Sequence, residues 1–461
     1  MRIFPSKLLS QPKLLAIATI LGLGISIASY TVLSKSNSNS NPAWSYRFQL
    51  PTTGSNTKNI QQEIAFHRRI IQQQPTAGLP RAALAQNYLQ MARATGESSW
   101  YLLAEQAAQQ SLAQLSFDNH GATIVLAKIA TAKHDFARSQ ALLKQLPPQT
   151  EVLALSTTNY LALGDVTAAR RTADTLAQKL PTLNNLTLRG LVGFAQGQDR
   201  AAMRDFQAAI AAEEPDEAGS SAWVRTLLGR LYYKRGQLKE AEQLYQSALQ
   251  ILPQYPPALL NSAELAVRKW QADPSQTQDR DRAIELYNRF FLANRQAPTT
   301  YDHTVLRGVA RVKSLQGNTV EANKIWEQAV SRLRSDLTGF GHQRELAQLL
   351  MERSQEGDLA EALALMQAEI KIRQDPETWD TLAAAHLKIG QLAAAQAAIE
   401  TALKSGIRDP SLFDRAAVIA QARGQSAQAE RYQQEVSKLD PTFDAGARQA
   451  LGLGVGLSGL N

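Results

Sequence analysis

Residues 222–255 read AWVRTLLGRLYYKRGQLKEAEQLYQSALQILPQY, and the order of small, aromatic and helix-ending residues in this stretch decides the fold. Gly236 stops a first helix, since glycine accepts the left-handed conformation that closes a helix C-terminus. Pro253 stops a second, because proline has no amide hydrogen and clashes with the preceding turn. Between them, Gly229 on the first helix and Ala241 on the second are the small residues that let two antiparallel helices cross closely. Leu228, Tyr232 and Tyr245 fill the space beside that crossing. The stretch is therefore a helical hairpin.

The same grammar extends outward in both directions. A small residue opens the second helix of each unit at Ala104, Ser139, Ala169, Ala202, Ala241, Ala283, Ala322, Ala362, Ala395 and Ala429, at intervals that cluster near 34 residues. Turns recur at Gly164, Gly197, Gly236, Gly317, Gly357, Gly390 and Gly424, and prolines near repeat ends at Pro147, Pro181, Pro253, Pro376 and Pro441. Intervals longer than 34 read as loop insertions, for example a polar excursion from Gln271 to Asp279. A leading helix from Asn59 to Gln74, closed by Pro75, precedes about ten repeats between Gly78 and Phe443.

Arg225, Leu228-Gly229, Tyr232, Ala241, Tyr245, Ala248 and Pro253 keep the spacing of the tetratricopeptide signature, with an arginine where the leading Trp stands and Tyr for Phe. The chain resembles a tetratricopeptide repeat protein of bacterial type. The resemblance implies an all-α, right-handed solenoid of about ten helical hairpins over residues 59–443, stabilised by neighbour stacking. It also implies partner binding on the concave surface lined by each repeat's first helix. Exposed positions there are expected at Trp223, Arg230, Tyr233 and Lys234, then Arg268, Arg307, Arg311 and Arg344, forming a basic stripe with aromatics. A protein partner is the expected ligand, and an anionic polymer such as an acidic polysaccharide is the alternative, with arginines on carboxylates and Trp223 or Tyr233 stacking. The bland reading stays beside both: solvated arginines and aromatics that pack between repeats. The carboxylate clamp some relatives use for chaperone tails requires residues that Thr226, Arg230, Thr304 and Gly308 do not supply; only Asn261 fits.

Leu14–Leu33 is apolar enough and long enough to cross a bilayer as a helix of about 30 Å. Arg2, Lys7 and Lys13 precede it, which places residues 1–13 in the cytoplasm and the array in the periplasm or another extracytoplasmic space. A cleaved signal peptide, with Ser26-Ile27-Ala28 at its cleavage site, reads the same residues differently and exports the array equally. Residues 34–58, opening with Ser36-Asn37-Ser38-Asn39-Ser40-Asn41, are expected to be a flexible linker, and residues 444–461 a short capping helix with a glycine-rich tail.

The 49 basic and 41 acidic side chains leave a formal charge of +8, but they are interspersed with no basic block, so nucleic acid is not expected as a partner. The chain has no cysteine, which removes disulfides, thiolate metal sites and cysteine nucleophiles. His67, His120, His134, His303, His342 and His386 show no metal-ligand spacing, and phosphate-loop, GxSxG and HExxH motifs are absent. Glu213, Glu214, Asp216 and Glu217 around Pro215 read as a charged loop between repeats. Neither a catalytic function, nor a cofactor, nor a metal is expected. Ala241→Arg should drive a long cation into the closest approach of the hairpin, lowering the thermal midpoint by several degrees; an unchanged midpoint would refute the repeat frame.

Overall fold

The computed structural model describes residues 42–50, 55–215, 217–293, 298–340 and 342–445. The chain divides into two units, Met1–Ser40 and Asn41–Asn461. The first unit, with Leu14–Leu33, lies outside the described residues, as does nearly all of the expected capping helix and tail. Among the described residues no helix is long and apolar enough to cross a membrane.

The second unit is helical, and its described residues form no strand beyond one isolated bridge between Glu97 and Thr299. A lone helix α1 (Ser55–Gln73) precedes ten hairpins. They are α2 (Gly78–Thr95) with α3 (Ser98–Gln114), α4 (His120–Ala132) with α5 (Phe136–Leu143), and α6 (Thr150–Ala162) with α7 (Val166–Lys179). Next come α8 (Leu183–Ala195) with α9 (Asp199–Ala211), α10 (Ala218–Tyr233) with α11 (Leu238–Ile251), and α12 (Pro256–Ala272) with α13 (Thr277–Ala293). The last four are α14 (Asp302–Leu315) with α15 (Thr319–Phe340), α16 (Gln343–Arg353) with α17 (Asp358–Glu369), α18 (Pro376–Lys388) with α19 (Leu392–Leu403), and α20 (Pro410–Ala422) with α21 (Ser426–Leu439).

The small residues that set the repeat interval are the packed centres of these hairpins. Nine of the ten are 0% exposed, and Ala429 is 6% exposed. The glycine one helix away is equally constrained. A Cβ on Gly229 would meet the Tyr245 ring at 2.5 Å, and one on Gly190 would meet the Phe206 ring at 2.8 Å. In both hairpins an aromatic ring packs directly against a residue with no side chain, a close approach that any larger residue would prevent.

Two expectations are corrected. The longer repeat intervals are taken up mainly by longer helices: the excursion at Gln271–Asp279 shrinks to four residues between Ala272 and Thr277, and α15 runs for 22 residues. Helix extension satisfies backbone hydrogen bonds that a polar loop would leave to water. The second correction concerns the linker of residues 34–58. Its described part is not free: α1 begins at Ser55, and Pro42–Trp44 forms a short 3-10 turn with the Trp44 side chain buried against the α10–α11 hairpin.

Successive first helices pack on one another, α14 and α16 mainly through Arg307 with Glu352 and Gln348, whereas successive second helices make little direct contact. The first helices thus form one wall and the second helices spread over its outer side. The unit also coils far enough to meet itself. In each of the first five hairpins, the turn between its two helices packs on the loop that follows the hairpin five places later. Thr300 donates to the Gly96 carbonyl at 2.9 Å, His134 meets His342 with ring centroids 6.1 Å apart, and Gln374 donates to the Ala162 carbonyl at 2.8 Å. Arg235 donates to the Arg408 carbonyl at 2.6 Å, and Lys234 pairs with Asp409. The seam ends where Arg268 donates to Asp440 at 2.7 Å and to the Thr442 carbonyl at 3.1 Å.

The seam gives the turn glycines two different surroundings. Gly197 has φ +70° and the Gly406 carbonyl lies where its Cβ would be; Gly164, at φ +75°, faces the Gln374 carbonyl at 2.7 Å. Gly317, Gly357, Gly390 and Gly424 also have positive φ, yet among the described residues nothing would meet an added Cβ within 4 Å. Gly390→Ala should therefore cost only the left-handed backbone penalty of roughly 1–2 kcal/mol. Gly197→Ala should cost about twice that, because the seam must also part. Equal losses in urea unfolding would show that the seam contributes nothing to stability.

Candidate functional site

The eight residues of the expected stripe do lie along consecutive first helices: Trp223, Arg230 and Tyr233 on α10 with Lys234 capping it, Arg268 on α12, Arg307 and Arg311 on α14, and Arg344 on α16. Their expected exposure is corrected. Trp223, Arg230, Tyr233, Lys234, Arg268 and Arg344 are all buried, at 4 to 9% exposed, and only Arg307 and Arg311 stay partly open. Lys234 and Arg268 meet Asp409 and Asp440, 175 and 172 residues further along the chain, whereas Arg344 meets Asp375 and Thr378 of the next hairpin.

The charge of the stripe is also answered from within. Arg268 stacks over Tyr233, its guanidinium carbon 4.8 Å from the ring centroid, donates to the Tyr233 carbonyl at 3.2 Å, and reaches Asp440. Arg307 grips the Glu352 carboxylate and donates to Gln348 at 3.1 Å, while Arg311 donates to Gln271 at 2.7 Å. Arg344 lies 3.1 Å from Asp375, 3.3 Å from Glu345 and 3.6 Å from Glu377. Burial alone would make the Arg344 guanidinium easier to deprotonate, yet these carboxylates outweigh it and push its pKa up. Burial dominates instead at Arg230, whose pKa is lowered although Glu377, Glu264 and Asp409 act against the shift. Tyr233, buried among the same groups, is raised by desolvation. Asp409 would be raised by burial, but Lys234 and hydrogen bonds carry it below the usual carboxylate range.

Two features escape sequence spacing. The first is Glu213, read above as part of a charged loop between repeats. Its side chain is 0% exposed and forms a two-pronged pair with Arg225, at 2.9 and 3.1 Å. Removing one partner of such a pair typically costs 3–5 kcal/mol, because the other charge stays buried alone. An arginine in place of the signature's leading Trp was the available signal. The second feature is a histidine cluster. His134, His303 and His342 come from three hairpins, with His303 and His342 centroids 4.8 Å apart. Glu345 beside them is held well below the usual carboxylate range: burial opposes this, and Arg373, Arg344, His342 and His134 overcome it. Among the described residues no group of three or more His, Cys, Asp or Glu is placed to hold a metal ion.

With this geometry in place, the relationships of the chain are plain. The tetratricopeptide repeat family model matches residues 222–255, the hairpin α10–α11. No curated protein matches the chain. Among solved structures it is similar to a human IFIT1 dimer with PPP-AAAA, at 12% identity and a TM-score of 0.46 over 83% of this chain and 86% of that one. It is also similar to a tetratricopeptide repeat protein from Parabacteroides merdae, at 16% identity and a TM-score of 0.31 over 63% and 93%. Residues 222–255 are thus a tetratricopeptide repeat within an all-helical array.

His303 makes the array sensitive to acid. Burial first, and His342 next, bring its pKa down from 6.5 to about 3. The unfolded chain takes up this proton near pH 6.5 while the folded chain does not, so the stabilisation is complete above pH 6.5 and is lost as pH falls toward 3. Between pH 6.5 and 4.5 the unfolding free energy should drop by about 1.4 kcal/mol per pH unit from this group alone. In His303→Gln that slope should flatten; an identical slope in urea titrations of both proteins would remove His303 as its source.

Proposed function

We propose that this chain is an interaction scaffold that holds one or more protein partners on the wall formed by its first helices. The supporting observation is that wall itself: first helices packed in succession, on which the partly open Arg307 and Arg311 are held by Gln348, Glu352 and Gln271. Fixed side chains lose little freedom on association, which is what a preorganised binding surface requires. The partly open members, Arg307 and Arg311 on α14, are where an incoming chain finds polar atoms first. No chemistry is assigned to the chain, and no cofactor.

In this reading Leu14–Leu33 tethers the array to a membrane, with residues 1–13 cytoplasmic and the repeats outside the cytoplasm. An envelope, secretion or polysaccharide-export assembly is the setting that follows. The anionic-polymer alternative is weaker. Carboxylates already engage Lys234, Arg268, Arg307 and Arg344, so a polyanion would have to displace them.

The reading is tested in cells by placing a photocrosslinking residue at Arg311 or at exposed Lys324 on the outer helix α15, then fractionating membranes. Discrete protein adducts from position 311, few from 324, and recovery with the membrane pellet are expected. Equal adducts from both positions would overturn the inner-wall site, and recovery without membrane or export would overturn the tether.

A further inference from the structure

The segment Pro42–Phe48 is bound by the array as a peptide ligand is bound. The Trp44 carbonyl accepts two hydrogen bonds, from Arg225 Nε at 2.8 Å and Ser247 Oγ at 2.7 Å. The Trp44 ring is buried, tilted at 52° against Tyr232 with centroids 5.7 Å apart. Three residues on, Arg47 donates to the Ala211 carbonyl at 2.7 Å, at the C-terminus of α9, and lies 3.7 Å from Glu213. Tyr46 lies between these anchors, its ring 5.9 Å from the Arg225 guanidinium carbon. The contacts come from the second helices α9 and α11 and from α10 beneath them, so the groove is on the opposite side of the hairpin stack from the first-helix wall.

The receptor side of this contact is built without the segment. Apart from its bond to Trp44, Arg225 donates to both Glu213 oxygens, to the Ser221 carbonyl at 3.0 Å and to Ser247 at 3.1 Å. With the segment in place Arg225 is 0% exposed, and four of its hydrogen bonds are internal to the array. The segment side is the opposite: Ala43, Ser45, Arg47, Gln49 and Leu50 are exposed, and its only regular structure is one 3-10 turn. Arg47 also repeats a contact of the seam, where Arg235 donates to the Arg408 carbonyl. The loop edge after α9 thus takes from this segment the kind of contact that the second coil's loops take from the first.

We propose that the groove formed by α9, α10 and α11 is a binding site for a short peptide of the form Trp-x-x-Arg, and that Pro42–Arg47 is its resident, exchangeable ligand. Specificity rests on three elements: a ring-sized slot against Tyr232, a pair of donors for the main-chain carbonyl of the tryptophan, and carbonyls with the Glu213 carboxylate for the arginine. A partner chain that presents this pattern binds by displacing the segment. The segment is the stronger competitor because its tether holds it at high effective concentration. This site does not depend on the inner-wall reading, and either can fail alone.

The test uses the full chain carrying Trp44→Ala and Arg47→Ala, and a fluorescent peptide of residues 41–49. The expected result is saturable one-to-one binding to the double variant and at least tenfold weaker binding to the wild-type chain. Trp44→Ala in the peptide, or Ser247→Ala added to the variant, should each weaken binding at least tenfold. In the wild-type chain, hydrogen exchange at Ser45–Phe48 should be at least tenfold faster than at Trp223–Leu231. A double variant that folds and does not bind the peptide overturns the site. A double variant that cannot fold, or strap amides that exchange as slowly as α10, makes the segment part of the core and overturns its exchangeability.

Discussion

Two helices can lie against each other only as closely as the side chains between them allow, and in this protein that distance is set by alanine, serine and glycine at every hairpin. The ring of Tyr245 over Gly229 and that of Phe206 over Gly190 show the margin: one methyl group would collide. From this single constraint follow the pairing of helices within a hairpin and the stacking of hairpins on their neighbours. A constant offset between successive hairpins then bends the stack, and after five of them the chain meets itself.

The meeting is chemically specific. The turn glycines of the first coil admit main-chain oxygens of the second where any side chain would obstruct them, and cations at the ends of α10 and α12 reach Asp409, Asp440 and Thr442. Helix C-termini carry a partial negative charge, so Lys234, which caps α10, and Arg268, which donates to the Tyr233 carbonyl at the same end, sit favourably there before they cross the seam. Desolvating such pairs is expensive, and their net contribution is smaller than their number suggests. They fix which loop meets which turn, a matter of register more than of strength.

The same closure decides what kind of surface is left for a partner. Side chains that would form an open basic stripe on an uncoiled array are neutralised and covered, and the partly open positions are confined to α14. On the other side of the hairpin stack, Arg225 and Glu213 form a buried pair at the place where the repeat signature has a tryptophan, and Trp44, from 181 residues earlier, brings its carbonyl to that arginine. A departure from the repeat pattern thus coincides with a binding contact: the substituted residue has polar requirements that the repeat alone does not complete.

Local residues were sufficient for the helices and their pairing into hairpins, but not for every boundary: α1 starts at Ser55, and most of Gln271–Asp279 is helix. The alanine interval reports a contact between helices adjacent in the chain, and Gly236 or Pro253 acts within one turn of itself. The face on which Trp223, Arg230 and Arg268 lie was equally legible, because helical periodicity is local. Burial of that face was not, nor the gathering of His134, His303 and His342, nor the docking of Trp44. Each depends on segments brought together by the summed offset of several hairpins, an angle that no single repeat encodes in its residue types. Tertiary structure alone decided which polar groups would find their partners across that gap.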